Sequence, residues 1–271
     1  MILQANPNTE LEKFMNLLRL EGIENIDELR YVAINSIKHL KGTRYDRDYS
    51  VKTRALELHW YNSLRSGTPD YNVYADDLYL AELWSCWIVY SRKYLTEIQK
   101  PNSLPPYGVK HHIGRVNTVV DLGCGIGYTT AALTEMFPNA KVIGTNILGT
   151  IQSRIAQRIG NQYGFEILPD AQAINEPVDL VFASEYFEHI HDPISHLRDV
   201  IKYLQPRRML IANTFTRDSI GHFNSYLVDG KLLDGRATSR AFGAELRANG
   251  YKKIQTKLWN NRPAYYAREA L

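Results

Sequence analysis

The run Val119-Val120-Asp121-Leu122-Gly123-Cys124-Gly125-Ile126-Gly127-Tyr128 constrains this chain more than any other segment. β-branched and aliphatic residues lead into three glycines, and Thr129, Ala131, Ala132, Leu133 and Met136 continue in a helical pattern. The order is strand, tight turn, helix. Glycine in such a turn lets the main chain approach a ligand that a Cβ would hold off, which suits a nucleotide-like cofactor. Asp121 adds a carboxylate at the strand end. The glycines are spaced Gly-x-Gly-x-Gly, so Tyr128 stands where a dinucleotide fingerprint needs its third glycine. No Lys-Ser/Thr follows, which excludes a Walker-type phosphate loop.

A second segment agrees with the first. Val178-Asp179-Leu180-Val181-Phe182-Ala183-Ser184-Glu185-Tyr186-Phe187-Glu188-His189-Ile190 reads as a strand and the loop after it. Asp192-Pro193-Ile194 then opens a helix that ends in Leu204-Gln205-Pro206, ahead of a strand at Met209–Ala212. Together the two segments resemble the first motif and the fourth strand of class I S-adenosylmethionine (SAM) dependent methyltransferases. The resemblance covers residues from about 110 to the end. Arg207-Arg208 stand where many members have glycines, a departure that touches a turn rather than the chemistry.

The resemblance implies a Rossmann-like, doubly wound α/β sheet of about seven strands, mostly parallel with an antiparallel last strand. The chain's own alternation of strand and helix agrees. Strands are expected at Thr118–Leu122, Lys141–Asn146, Phe165–Leu168, Val178–Ala183, Met209–Ala212, Lys252–Leu258 and Ala264–Arg268. Ahead of them the chain reads as helical. Thr9 is placed to cap a first helix through Leu11, Phe14, Met15, Leu17 and Leu18. A second helix spans Ile26 to Leu40 and stops at Gly42, and a third runs across Lys52 to Leu64. Asp76-Asp77 cap a fourth that reaches Ile98. Lys100-Pro101-Asn102-Ser103-Leu104-Pro105-Pro106-Tyr107-Gly108 is the clearest linker. It divides a helical region, 1–105, from a cofactor-binding core, 106–271.

Composition adds bounds. Of 271 residues, 44% are hydrophobic and 23% charged, as in ordinary globular proteins. Two cysteines, Cys86 and Cys124, make no disulfide framework and favour a reducing compartment. No leader pattern is visible and no apolar run spans a bilayer, so a cytoplasmic protein without membrane contact is expected. The net charge of +3 gives little support for a general polyanion binder. Lys38, Lys41, Arg44, Arg47, Lys52 and Arg54 do cluster, either as a solvated face or as a phosphate-facing patch.

In an open α/β sheet, ligands bind beyond the carboxyl ends of the strands. Four loops are therefore expected around one crevice. The first holds Asp121, Gly123, Cys124, Gly125, Gly127 and Tyr128. The second holds Asn146 and Ile147, roughly 20 residues on, where the family usually has an acidic residue on the ribose hydroxyls. Asn146 keeps hydrogen-bonding capacity but not the charge. The third holds Asp170 and Ala171, placed by resemblance beside the adenine, although Asp170 also reads as an ordinary turn residue. The fourth holds Glu185 and Tyr186, placed by resemblance at the methionine end, with a structural carboxylate as the other account of Glu185.

Methyl transfer draws its reactivity from the cofactor, so the protein must position an acceptor and in many cases remove a proton. His189 is the first candidate base and His222 another, and Glu185 is a further candidate catalytic residue. A capping or packing role competes for each histidine. The spacing His189-x-His191-Asp192-x-x-x-His196 admits a metal reading, but the motif explains these residues otherwise and no metal is expected. Tyr79, Leu83, Trp87, Tyr90 and Tyr94 share one helical face. Core packing is the better account of it, and a lid stacking on a flat acceptor is the sharper one.

The leading reading is a SAM-dependent enzyme that methylates an oxygen or nitrogen of a small or medium-sized acceptor. The rival is the same chemistry on nucleic acid or a nucleotide, although neither an Asp/Asn/Ser-Pro-Pro-Tyr/Phe tetrad nor a Pro-Cys pair is present. A non-catalytic SAM-fold binding protein, or transfer of another SAM-derived group, are further alternatives left open by Asn146.

Overall fold

Every residue of Thr118–Leu122, the first strand (β1), is buried, as a strand flanked by neighbours and covered on both faces must be. The computed structural model describes residues 2–103, 108–259 and 262–268. The remaining strands are β2 (Lys141–Thr145), β3 (Glu166–Leu168), β4 (Leu180–Ser184), β5 (Arg208–Ala212), β6 (Tyr226–Val228), β7 (Lys231–Leu233), β8 (Tyr251–Ile254) and β9 (Ala264–Arg268). Seven of them form one sheet in the order β3-β2-β1-β4-β5-β9-β8. The first five run parallel, and β9 is antiparallel to both β5 and β8. The expected α/β architecture, with its antiparallel final strand, is the one observed. The order reverses between β1 and β4, the switch point beside which ligands bind.

The helices are α1 (Pro7–Leu20), α2 (Ile26–Leu40), α3 (Arg47–Arg65), α4 (Asp77–Cys86), α5 (Arg92–Gln99), α6 (Val109–Ile113), α7 (Tyr128–Met136), α8 (Ile151–Tyr163), α9 (Pro193–Leu204) and α10 (Gly235–Ala248). Between α4 and α5 a π-helical turn, Trp87–Ser91, keeps the helix continuous.

Strand side chains alternate between two cores. Val119, Leu180, Phe182 and Leu210 join the core under α7 and α8, while Val120, Val181, Met209 and Ile211 join the core under α9 and α10. The N-terminal helices belong to the first core. Phe14, Met15, Leu18, Leu29, Val32 and Trp84 pack into it with Tyr128 and Leu133. The rings of Phe14 and Trp84 stack at 6.0 Å and 7°. Ser85 of α4 donates to the carbonyls of Ala33 and Ala81 at 3.1 and 2.8 Å, locking α4 onto α2. From α3, fully buried Trp60 crosses to the second core and donates its indole N–H to the carbonyl of His222 at 2.6 Å. An aromatic of this size removes ~150–250 Å² from water, worth ~4–6 kcal/mol at ~25 cal/mol/Å² before the entropic cost of ordering it.

Several boundaries differ from expectation. The cap of α1 is Asn6, whose side chain accepts from the Asn8 N–H, and Thr9 lies inside the helix. A proline at the first helical position sets that start. The third helix begins at Arg47 behind Asp46, since the Asp46 carboxylate satisfies the Asp48 N–H. β2 ends one residue short of Asn146, and β4 runs from Leu180 to Ser184. The strand expected over Lys252–Leu258 is β8 and stops at Ile254. The hairpin β6–β7 was not expected. Of the expected linker, Leu104 to Tyr107 lie outside the described residues. Among the described residues no helix is long and apolar enough to cross a membrane.

Candidate active site

A cavity of about 660 Å³ opens at the carboxyl ends of β1 and β4. That is within the ~300–1,000 Å³ of small-molecule sites. Its floor is the glycine turn, with Gly123, Cys124 and Gly125 facing it and Tyr128 beside them. Thr145 holds the turn in place. Its side-chain oxygen accepts from the Gly123 N–H at 3.1 Å, and its carbonyl accepts from the Cys124 N–H at 2.9 Å. Gly125 has φ +55, and a Cβ there would enter the cavity and stop 3.9 Å from Leu83. The positive φ favours glycine there, and its lack of a side chain leaves the main chain open to the cavity.

The other loop residues take distinct positions. Asp121 is buried behind the turn, where one carboxylate oxygen accepts from the Thr130 hydroxyl at 2.7 Å. Burial pushes its carboxyl up to about 7. Gly127 caps α7 in the left-handed conformation. Asn146 donates to the Gly125 carbonyl at 2.6 Å, and its own oxygen accepts from the Ile147 N–H at 2.9 Å. Ile147 is exposed. Asp170 caps the short turn Ala171–Ala173 by accepting from the Gln172 and Ala173 N–H groups, and Ala171 is buried. Neither Asn146, Ile147, Asp170, Ala171 nor Tyr186 borders the cavity. Tyr186 instead lies against Gly123, its hydroxyl 2.8 Å from Nε2 of His196.

The three candidate catalytic residues do meet in the cavity. Glu185, His189 and His222 all border it. Glu185 sits at φ +52, a conformation that turns the chain sharply after β4. His189 lies 3.1 Å from the Tyr74 hydroxyl through Nδ1, and its ring meets His222 edge-on at 4.7 Å. Burial drives His189 well below the usual imidazole range, with His222 adding to the effect. It is a neutral imidazole at physiological pH. Burial also lowers His222 and raises Glu185. Gly221, φ +83, makes this packing fit, because a Cβ there would fall 2.3 Å from the Tyr74 oxygen and 2.5 Å from His189 Nδ1.

His191, Asp192 and His196 do not converge with His189 on an ion. His191 packs against Phe223, Asp192 caps α9 and His196 bonds Tyr186. Two residues that sequence reasoning missed are Glu188 and Tyr74. Glu188 is fully buried and accepts from the Thr214 N–H at 2.6 Å.

The far wall is helical. Tyr79, Leu83, Trp87, Tyr90 and Tyr94 all face the cavity, with Glu82 and Cys86 among them. The shared face is thus both core and cavity wall, since Trp87 and Tyr94 are buried as well. Trp259 extends the aromatic surface by stacking on Tyr90 at 6.4 Å, and Arg217 and Arg262 supply the cavity's cations.

Comparison with known proteins decides the family. The family described as methyltransferase domain matches residues 92–256, more than half of the chain. The chain belongs to the class I SAM-dependent methyltransferases. A trans-aconitate 2-methyltransferase of Azoarcus sp. (strain BH72) is 33% identical over 93 residues, 34% of this methyltransferase and 37% of the relative. A malonyl-[acyl-carrier protein] O-methyltransferase of Anoxybacillus flavithermus is 25% identical over 100 residues, 36% and 39% of the two chains. The match thus spans little more than a third of these relatives' lengths. The structure of a mitomycin 7-O-methyltransferase superimposes with a TM-score of 0.48 at 15% identity, covering 99% of this chain and 74% of that one.

The cofactor of this family is SAM, and the residues present fit it. The glycine turn offers main chain to the cavity, and the clearance above Gly125 is of the kind a Cβ would fill. Gly123, Cys124 and Gly125 are the residues that would hold the cofactor.

Proposed function

We propose that this methyltransferase moves a methyl group from SAM to an oxygen or nitrogen of a small acceptor held between the glycine turn and the aromatic wall. The observation that carries the proposal is that one cavity has the glycine turn on one side and Glu185, His189 and His222 on another. When bound, the cofactor supplies an activated methyl group on a sulfonium.

The chain's residues supply the rest. The aromatic wall aligns the acceptor and excludes water, and such positioning can contribute ~7–11 kcal/mol of the barrier. Neutral His189 is in the form that accepts a proton, and Tyr74 fixes its ring. Arg217 and Arg262 favour an acceptor carrying negative charge. The helices of residues 7–99 act as the acceptor-selecting region. Cys86 and Cys124, free and unpaired by disulfide, support a reducing compartment such as the cytoplasm.

The test is calorimetric titration with SAM and S-adenosylhomocysteine, followed by labelled-methyl transfer into fractionated metabolites, protein and nucleic acid. One-to-one cofactor binding with label in the metabolite fraction is expected. Absence of binding at millimolar ligand would refute the proposal, and label confined to nucleic acid would replace the acceptor class.

A further inference from the structure

Glu185, Glu188 and His222 each offer a ligand atom, and these atoms all lie within 4.8 Å of one another. Glu185 follows β4, Glu188 lies on the turn Phe187–His189, and His222 comes from the loop after β5. Two further observations point to a ligand. Glu188 is fully buried, its Oε1 accepts from the Thr214 N–H, and no donor meets its Oε2. A buried carboxylate oxygen without a partner is costly to keep. His222 has Nδ1 2.8 Å from the Arg217 carbonyl, so the proton resides on that nitrogen and the Nε2 lone pair is free. Donation of one ring N–H to a carbonyl is how proteins orient an imidazole whose other nitrogen binds a metal.

We infer that Glu185, Glu188 and His222 bind a divalent cation, and that this cation holds an acceptor bearing two oxygen atoms on neighbouring carbons, at least one of them a hydroxyl. The inference rests on the methyl-transfer reading above and narrows its acceptor. Two carboxylates and one imidazole suit Mg²⁺, Mn²⁺ or Zn²⁺. Glu185 and His222 border the cavity, so the coordination positions left open by three protein ligands face the acceptor. Neighbouring oxygens can fill two of them as a chelate.

The cation also bears on the acceptor's proton. A divalent ion acidifies a bound hydroxyl directly, as zinc lowers the pKa of a bound water to near neutrality. The hydroxyl proton then leaves to water or to His189. An oxygen lone pair forms the new C–O bond as the C–S bond breaks, and that bond's electron pair stays on sulfur. The cation's charge does not change and nothing is oxidised. The alternative for the same geometry is one proton shared between the two carboxyls.

The experiment titrates the chelator-stripped full chain with Mn²⁺, followed by its electron paramagnetic resonance signal, and with Mg²⁺ and Zn²⁺ by calorimetry. SAM binding is measured in parallel. One Mn²⁺ per chain is expected, with affinity falling at least about tenfold in Glu188→Gln and in His222→Ala while both variants still bind SAM. No saturable binding of any of the three ions at millimolar concentration overturns the site, as does Mn²⁺ affinity unchanged in both variants. SAM binding without a cation leaves the methyl-transfer reading standing alone, whereas a cation bound without SAM binding sinks that reading and keeps the site. Cation-dependent methylation of an ortho-dihydroxy probe but not of its monohydroxy analogue supports the acceptor class, and equal use of both overturns it.

Discussion

The side-chain amide of Asn146 donates to the carbonyl of Gly125 across 2.6 Å, and so ties the loop after β2 to the glycine turn. The same amide points at the Cys124 sulfur from 3.7 Å. Asn146 thus sets a side-chain donor against the Gly125 carbonyl, a contact that a carboxylate could not make. Asn146→Ala should therefore loosen the turn, with a cost of ~1 kcal/mol in stability and a weaker SAM affinity. Asn146→Asp should do worse than alanine, because it sets a carboxylate against a carbonyl oxygen. Calorimetry on the three proteins decides this, and tighter binding by the aspartate variant would contradict the role assigned to the donor.

Gly221→Ala is expected to damage both stability and turnover. Its φ of +83 is unfavourable for alanine, and the added methyl would overlap the Tyr74 hydroxyl and His189. A loss of ~1–3 kcal/mol is expected in denaturant unfolding, with turnover reduced further as His189 is displaced.

His189→Ala should slow methyl transfer by roughly 10²–10⁴-fold if His189 takes the acceptor proton, while SAM affinity stays close to that of the parent. Single-turnover kinetics separates the two quantities. Unimpaired turnover in this variant would return His189 to a packing role against Tyr74 and His222.

Glu82 gives a pH dependence with a definite sign. Burial in the cavity wall pushes its carboxyl up to about 7, against 4.5 as the ordinary value, and the Tyr49 hydroxyl donates to it at 3.0 Å. A raised folded-state value means that the folded chain holds the proton more tightly than the unfolded one. This group's contribution to stability is full below pH 4.5, declines as pH rises to about 7, and is constant beyond. Glu82→Gln keeps the acceptor for Tyr49 and removes the ionisation. The variant should gain on the parent between pH 5 and pH 8, by ~1–2 kcal/mol after allowing for solvent in the cavity. A gap in melting temperature that does not widen with pH would contradict this.

How much of this was legible in the chain depended on how local the cause was. Thr118–Leu122 and Ala264–Arg268 were read to the residue, because apolar runs bounded by turns carry their own signal. α2 was read as well, since its periodic apolar stretch is unbroken and Gly42 stops it. The hairpin Tyr226–Leu233 was missed although Asp229-Gly230, both at positive φ, form the two-residue turn typical of hairpins. The floor of the site was visible for the same local reason, its conformation being written in three glycines. Glu188 was not, because its burial depends on Thr214 and Tyr226, 26 and 38 residues away. Nor could periodicity distinguish the core from the cavity wall at Trp87 and Tyr94, because those residues serve both.

The π-helical turn Trp87–Ser91 has a consequence for how this fold can diversify. An ordinary α-helix would carry its apolar stripe past the cavity at a constant pitch; the wider turn carries one additional residue. Trp87, Tyr90, Ser91 and Tyr94 thereby remain on one side, while Leu95 and Ile98 still reach the core. Deleting one residue from the α-helical parts of this wall would rotate everything downstream by about 100°, whereas a deletion inside the wider turn would close it to an ordinary α-turn and leave the flanking faces in place. Point substitutions at Tyr79, Leu83 or Tyr90 reshape the pocket without such a rotation. The wall's side chains are thus open to change, while its length can change only at this one turn.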